Sequence, residues 1–342
     1  MSSSDFLSLP DLALRSYGGS VIAANDEFFA EKENLITPGP ATFNPATFGH
    51  KGQVYDGWET RRRRTEGHDW AMVRLGLPGI VHGVVIDTSF FTGNFPPYAA
   101  VDGAVVEGYP PAEAVVDARW VPLVPKTDLY GDGTNQFRVD ERARFTHVRL
   151  SIYPDGGVAR LRVHGEVVPD PRLWAGLSID LAALENGAVV TGCSNMHYAS
   201  PNNLIAPGFA AVMGEGWETA RRRDDGNDWV SVRLTGTGTV RLLELDTTHF
   251  KGNAPGAATV RGFDAAGGGD PASPTAWFEL LPRTGLLPDT RHRFVVEIDR
   301  PATDLRLDVY PDGGMARLRA YGSLTEEALA GLTARWLDLS TR

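Results

Sequence analysis

One block of sequence is written twice. Asp56-Gly57-Trp58-Glu59-Thr60-Arg61-Arg62-Arg63-Arg64, closed by His68-Asp69-Trp70, returns as Glu215-Gly216-Trp217-Glu218-Thr219-Ala220-Arg221-Arg222-Arg223, closed by Asn227-Asp228-Trp229. The spacing of 159 positions also carries Asp87-Thr88 onto Asp246-Thr247 and Gly93-Asn94 onto Gly252-Asn253. At a spacing of 157, Tyr153-Pro154-Asp155-Gly156-Gly157 meets Tyr310-Pro311-Asp312-Gly313-Gly314. A period this long is that of a domain duplicated in tandem, since stacked repeat arrays use units of roughly 20–50 residues. Whatever one half folds into, the other half must also fold into.

Length agrees: 342 residues is enough for two domains that each bury a core. The expected layout is a first repeat over 1–168, a linker over 169–186 and a second repeat over 187–342 that ends in a helix. The first repeat is longer by a loop around Thr42–Tyr55, which holds His50-Lys51-Gly52 and has no counterpart later.

Between the shared blocks, apolar residues alternate. Ala71, Val73 and Leu75 share a face, as do Val230, Val232 and Leu234; Val148, Leu150, Ile152 and Leu305, Leu307, Val309 do the same. A period of two means half-buried strands. The turns rich in Gly and Pro then favour an antiparallel β-sandwich in each half. Tyr-Pro-Asp-Gly-Gly between two such runs reads as a hairpin turn. Thr325 is placed to cap a helix from Glu326 to Trp336, and Asp180–Glu185 reads as a second short helix.

Net charge of −10 with pI near 5.3 argues against nucleic acid or an anionic membrane as partner. The single cysteine, Cys193, forbids an intramolecular disulfide and reads as a small buried residue. No apolar run reaches a membrane-spanning length, and Met1-Ser2-Ser3-Ser4-Asp5 has no leader character, so cytoplasm is the expected compartment. No phosphate loop, nucleophile elbow or zinc spacing is present. Oxygen ligands for a divalent ion such as Mn²⁺, gathered from distant loops, stay open, and the metal ligands are unknown.

The duplicated Gly-Trp-Glu-Thr-Xaa-Arg-Arg block, the Asp-Trp closures, Asp246-Thr247 with His249-Phe250-Lys251-Gly252-Asn253, and both Tyr-Pro-Asp-Gly-Gly turns resemble the allantoicase family. The resemblance spans roughly 18–165 and 187–322. It implies an all-β protein of two tandem jelly-roll sandwiches similar to galactose-binding modules. It also implies a hydrolase of purine catabolism that takes allantoate and water to ureidoglycolate and urea, in a homo-oligomer, with hexamers known.

No site residues come with the resemblance, so they are assigned from the matched motifs. The arginines Arg61, Arg62, Arg63, Arg221, Arg222 and Arg223 offer forked donors for the substrate carboxylate. Asn94, Asn253, Glu59 and Glu218 would hold the ureido arms, with Lys251 also at the substrate. His249 or His68 would move the proton, oriented by Asp246 or Asp69, with Glu59, Glu218 and Asp87 as further acids. His249 and Lys251, two apart, would share a strand face. The bland reading makes Trp58, Trp70, Trp217 and Trp229 core and the arginine runs salt-bridged surface. Three rival functions remain: another ureide hydrolase of the ureidoglycolate type, a noncatalytic carbohydrate-binding pair, and a structural first repeat beside a catalytic second.

Overall fold

The computed structural model describes residues 5–340. The chain divides into two compact units, one of the residues up to Val168 together with the last few from Asp338 on, the other Pro169–Leu337. Both are built almost wholly of antiparallel strands, and among the described residues only Ala112–Val116 and Glu326–Ser340 are α-helical.

Each unit is organised by one strand of 19 residues, Asp69–Asp87 in the first and Asp228–Asp246 in the second. Its first half lies between Ser20–Ala24 and Arg144–Tyr153, and the sheet continues through Tyr98–Ala104 to Trp120–Asp128. Its second half pairs instead with Arg160–Val167 and Thr134–Arg138. The partner change falls at a register shift between Arg74 and Gly79. Gly79 is needed there, because a Cβ would collide with the Glu166 carbonyl of the incoming strand. A strand that serves both layers of a sandwich is how a jelly roll closes its core. In the second unit Val189–Cys193, Ala302–Tyr310, Ala257–Phe263 and Phe278–Gly285 flank the first half, and Arg317–Leu324 with Arg291–Val295 the second.

The alternation observed in the sequence sets the core. Ala71, Val73, Leu75, Val148, Leu150 and Ile152 are buried, as are Val230, Val232, Leu234, Leu305, Leu307 and Val309. Removing such side chains from water is worth about 1.5–3 kcal/mol for each fully buried one, which outweighs any local propensity.

Several local expectations change. The Tyr-Pro-Asp-Gly-Gly segment is not a hairpin turn: Arg144–Tyr153 and Arg160–Val167 pair with different halves of the long strand, so the segment carries the chain between layers. Asp180–Glu185 is not a helix. Ile179–Asp180 pairs with Tyr321–Gly322, Leu184–Asn186 is a 3₁₀ turn, and Leu181–Leu184 are buried. That run lies within the stretch expected as a linker, and burial of its apolar side chains against the second unit's own strands makes it part of that unit. The closing helix does begin after Thr325, whose hydroxyl accepts from the Ala328 amide at 3.2 Å, and it runs four residues beyond Trp336 to Ser340. Of the four tryptophans, Trp58 and Trp217 are fully buried, but Trp70 and Trp229 are only half-buried, because they fall on the outward-facing positions of the long strands. Cys193 is likewise only half-buried.

Candidate active site

The two motifs most visible in the sequence are bonded to each other. The Thr60 amide donates to the Gly156 carbonyl at 3.1 Å, and the Gly156 amide returns a bond to the Thr60 hydroxyl at 3.2 Å. Thr219 and Gly313 repeat the exchange at 3.3 and 3.1 Å. Gly156 and Gly313 sit at φ of +145° and +133°, and a Cβ there would lie within 2.6 Å of backbone from the facing loop. The aspartate of each turn then accepts the amide of the fourth residue after the Glu: Arg63 to Asp155 and Arg222 to Asp312, both at 2.7 Å. Trp58 and Trp217 lock the same region, donating indole N–H to the Asp26 and Asn195 carbonyls at 2.8 Å.

This clamp presents one pair of functional groups in each unit. The Asn94 side-chain amide donates to Glu59 at 2.8 Å, and Asn253 donates to Glu218 at 2.6 Å. The asparagine carbonyls also accept the Gly157 and Gly314 amides, so the loop after the long strand is held against the turn. Glu59 is half-buried and has no cationic partner among the described residues. Burial raises its pKa above the ordinary carboxylate value, and the Asn94 hydrogen bond only partly opposes this.

His68 lies beyond the same turn. Its ring packs on Tyr153 at 4.5 Å, and Lys126 covers the other aromatic surfaces, 4.3 Å from the Tyr153 ring and 5.0 Å from that of Tyr98. Burial first, then the Arg149 and Arg63 charges, depress the His68 pKa, so the imidazole is neutral at physiological pH. Asp69 does not orient it by a hydrogen bond. The Asp69 carboxylate is buried and takes Arg63 at 2.6 Å and Asn25 at 3.0 Å.

The arginine runs separate into two classes. Arg63 pairs with Asp69, and Arg222 with Asp228 at 2.8 Å and Asp224 at 2.9 Å, so both are structural. Arg61 is tied to Asp26 and lies over the Phe28 ring. Arg62, Arg221 and Arg223 are exposed and have no ion pair among the described residues.

Around His249 the geometry departs from the expected strand. His249 and Lys251 lie in the turn after the long strand, with His249 at φ +74°, so they share no strand face. The His249 amide donates to Asp289, and its Nε2 lies 3.0 Å from the Ala210 carbonyl. Asp246 does not orient it: that buried carboxylate accepts the Thr248 amide at 2.8 Å. Phe90 occupies the equivalent turn at φ +70°, with its amide on Asp132. The turn is thus common to both units, and Asp87 accepts Ser89 as Asp246 accepts Thr248. Lys251 is exposed, 3.9 Å from Asp289.

The motif search missed Lys126 and Tyr153 around His68, and Asp26 beneath Arg61. A signal existed for the first: Pro125-Lys126-Thr127 matches Pro282-Arg283-Thr284 at the same spacing as the turns, and Arg283 covers Tyr310 at 4.1 Å. Among the described residues no three or more His, Cys, Asp or Glu side chains gather in a way that could hold a metal ion.

Comparison with known proteins gives this geometry a family. The family model for the allantoicase repeat matches twice, over residues 10–168 and 179–325. A probable allantoicase of Nocardia farcinica is 57% identical over 323 residues, 93% of this chain and 95% of that protein. One of Streptomyces avermitilis is 49% identical over 98% of this chain and 90% of its own length. The crystal structure of allantoicase from Saccharomyces cerevisiae superimposes with a TM-score of 0.79 at 33% identity, covering 93% of this chain and 96% of that one. With both repeats matched, and with their shared residues forming the clamp that holds each Glu–Asn pair, the chain belongs to the allantoicase family.

Proposed function

We propose that the chain hydrolyses allantoate to ureidoglycolate and urea, and that the first repeat's Glu59–Asn94 pair carries the proton transfer. The observation behind this reading is a half-buried carboxyl group with a raised pKa, held by an amide and with no ion pair among the described residues, in a family of allantoate hydrolases. Allantoate carries a carboxylate and two ureido groups on one carbon. Breaking one C–N bond needs a proton on the departing nitrogen and a water oxygen on the carbon.

Glu59 in its acid form gives that proton, and the C–N electron pair leaves with urea. The remaining ureido nitrogen can share its lone pair with the carbon as the bond lengthens. Water then adds, and its proton returns to the Glu59 carboxylate, which restores the acid. Asn94 fixes the carboxyl orientation. Arg62, exposed and without an ion pair, supplies a fork for the substrate carboxylate. His68, neutral beside Tyr153, is a hydrogen-bonding partner for a ureido carbonyl or N–H. General acid–base groups of this kind contribute about 10²–10⁴ in rate. Glu218 and Asn253 offer the second repeat's version of the pair.

We assign the enzyme to the cytoplasm as a homo-oligomer. Exposed apolar side chains, Phe48 and Val295 among them, support the assembly. Urea release from allantoate by the purified protein tests the reaction, run with chelator and with added Mn²⁺. Stoichiometric urea and ureidoglycolate is the expected result; a folded protein that releases no urea under any metal condition removes the reading.

A further inference from the structure

The outer face of the second-half sheet differs between the two units. In the second unit Glu244 is buried there and takes Arg291 at 2.8 Å and Arg293 at 2.8 Å. Phe209 closes over the Arg291 guanidinium at 4.4 Å. These side chains fill the space above Arg317 and Arg319 with a bonded layer of the protein's own groups. In the first unit the matching positions hold Val85, Thr134, Gln136 and Pro40. They are too small or too short to meet, and they line an open cavity of about 410 Å³.

The polar groups around that cavity are left incomplete. Arg160 is buried, gives Nη2 to the Asp56 carboxylate at 2.8 Å and Nη1 to the Asp56 and Ala159 carbonyls, and has an Nε with no hydrogen bond. Arg162 gives Nη2 to the Thr37 and Gly39 carbonyls at 2.7 Å, while its Nη1 makes no hydrogen bond and faces Asp11 Oδ2 at ion-pair distance. Asp11 is buried too. One of its oxygens takes the Val163 amide at 2.9 Å; the other, Oδ2, has no hydrogen bond and stands 3.6 Å from Arg162. His164 donates Nδ1–H to the Leu9 carbonyl at 2.8 Å, which leaves Nε2 as an acceptor. The Thr134 hydroxyl and the Gln136 carboxamide, both exposed at the rim, make no bond among the described residues. Buried donors and acceptors are rarely left unmet in a native protein, and a bound molecule is one of the few reasons for it.

We propose that this cavity binds a small neutral ureido or carboxamide compound at a place distinct from the Glu59–Asn94 pair. Each guanidinium already faces a carboxylate, and Asp87 adds a further carboxylate to the lining, so the site has no spare positive charge to offer an anion. It offers donors for a carbonyl oxygen from the arginines and Thr134. It offers acceptors for N–H groups at Asp11, Gln136 and His164. That mixture is the complement of –NH–CO–NH₂, and the volume falls within the roughly 300–1,000 Å³ of small-molecule sites.

The test uses the whole protein and N-carbamoylglycinamide, a neutral probe that lacks the carboxylate of the substrate. Binding is measured by calorimetry, and the probe is located in soaked crystals. A Val85→Glu/Thr134→Arg/Gln136→Arg variant copies the second unit's filling, which this framework already accommodates. The wild-type protein is expected to show the probe between Asp11 and the two arginines. The filled variant should keep its Tm and its turnover of allantoate, and should bind at least ~10-fold more weakly, as loss of one or two hydrogen bonds requires. N-carbamoylglycine, the charged analogue, should bind the cavity less well than the neutral probe. An empty cavity in soaked crystals, or equal binding by the filled variant, overturns the proposal. So does loss of turnover in a filled variant that stays folded, since the cavity would then be the reaction site. If the variant fails to fold, Gln136→Arg alone is the substitute, and unchanged probe binding in it overturns the proposal equally.

Discussion

The two repeats share their clamp and differ around it. Both hold a Glu–Asn pair by the same Thr–Gly exchange and the same Asp-to-Arg amide bond. Arg61 with Asp26 in the first unit becomes Ala220 with Asn195 in the second, so an ion pair was gained or lost as a unit. His68 on Tyr153 becomes Asn227, which donates to Asp308 at 3.0 Å. The open cavity of the first unit is filled by Glu244 and its arginines in the second. Duplication thus conserved what holds the backbone and released what faces outward. The difference teaches that presence in both copies does not by itself mark function: a shared Glu–Asn pair can be given unequal chemistry by the residues around it.

The largest test of that asymmetry is catalytic. Glu59→Gln should lower kcat for urea release by about 10²–10⁴, while Glu218→Gln lowers it less than ~10-fold. Equal losses in the two variants would make the repeats equivalent sites and end the distinction drawn here.

The framework should respond symmetrically. Trp58→Ala and Trp217→Ala each remove a fully buried indole and should each cost about 3–5 kcal/mol, read from chemical denaturation of each variant. A cost confined to one repeat would show that the clamp matters in only one.

Two glutamates, Glu244 buried and Glu59 half-buried, give opposite pH signs. The Glu244 pKa is lowered: burial alone would raise it, and the Arg293 and Arg291 bonds together more than reverse that. Its contribution is present above the unfolded carboxylate pKa and fades as pH falls through the lower folded value. Glu244→Gln should therefore cost about 1–3 kcal/mol at neutral pH and little in acid. Glu59 has a raised pKa, so the folded state prefers its acid form. Its contribution is complete below the unfolded carboxylate pKa and is lost as pH rises through the raised folded value. Glu59→Gln should thus match or exceed the wild-type Tm at neutral pH. Melting curves across acid to neutral pH check both, and parallel curves for the two variants would contradict the assignment.

The smallest effect belongs to the swapped ion pair. Arg61→Ala/Asp26→Asn rewrites the first repeat as the second, and a pair whose arginine is exposed, with the aspartate's backbone bonds kept by asparagine, should cost only about 0.2–1 kcal/mol. A larger loss of turnover than of stability would move Arg61 into substrate binding.

Much of the fold was legible in the residues. The spacing between Trp58 and Trp217 dictated two like units, and the period of two in Ala71–Leu75 or Val148–Ile152 dictated strands with one buried face. Those inferences work because duplication and alternation are one-dimensional facts that survive folding. The turn at Pro154–Gly157 was misjudged for the complementary reason. A hairpin and a crossing between layers use the same local chemistry, and only pairing with distant halves of one strand separates them. The candidate site followed the same division. Glu59, Asn94 and the arginine run stood out by repetition, yet Arg63 is spent on buried Asp69 while Arg62 is not, and neighbouring identical residues cannot announce which of them a distant carboxylate will claim. Lys126 over Tyr153 and the unmet groups of Asp11, Arg160 and Arg162 came from segments far apart in the chain. The sequence alone determined the number of units, their strand character and the family they resemble. The tertiary structure decided which polar groups are satisfied and which are left for a ligand, because hydrogen-bond satisfaction depends on what the fold brings within about 3 Å.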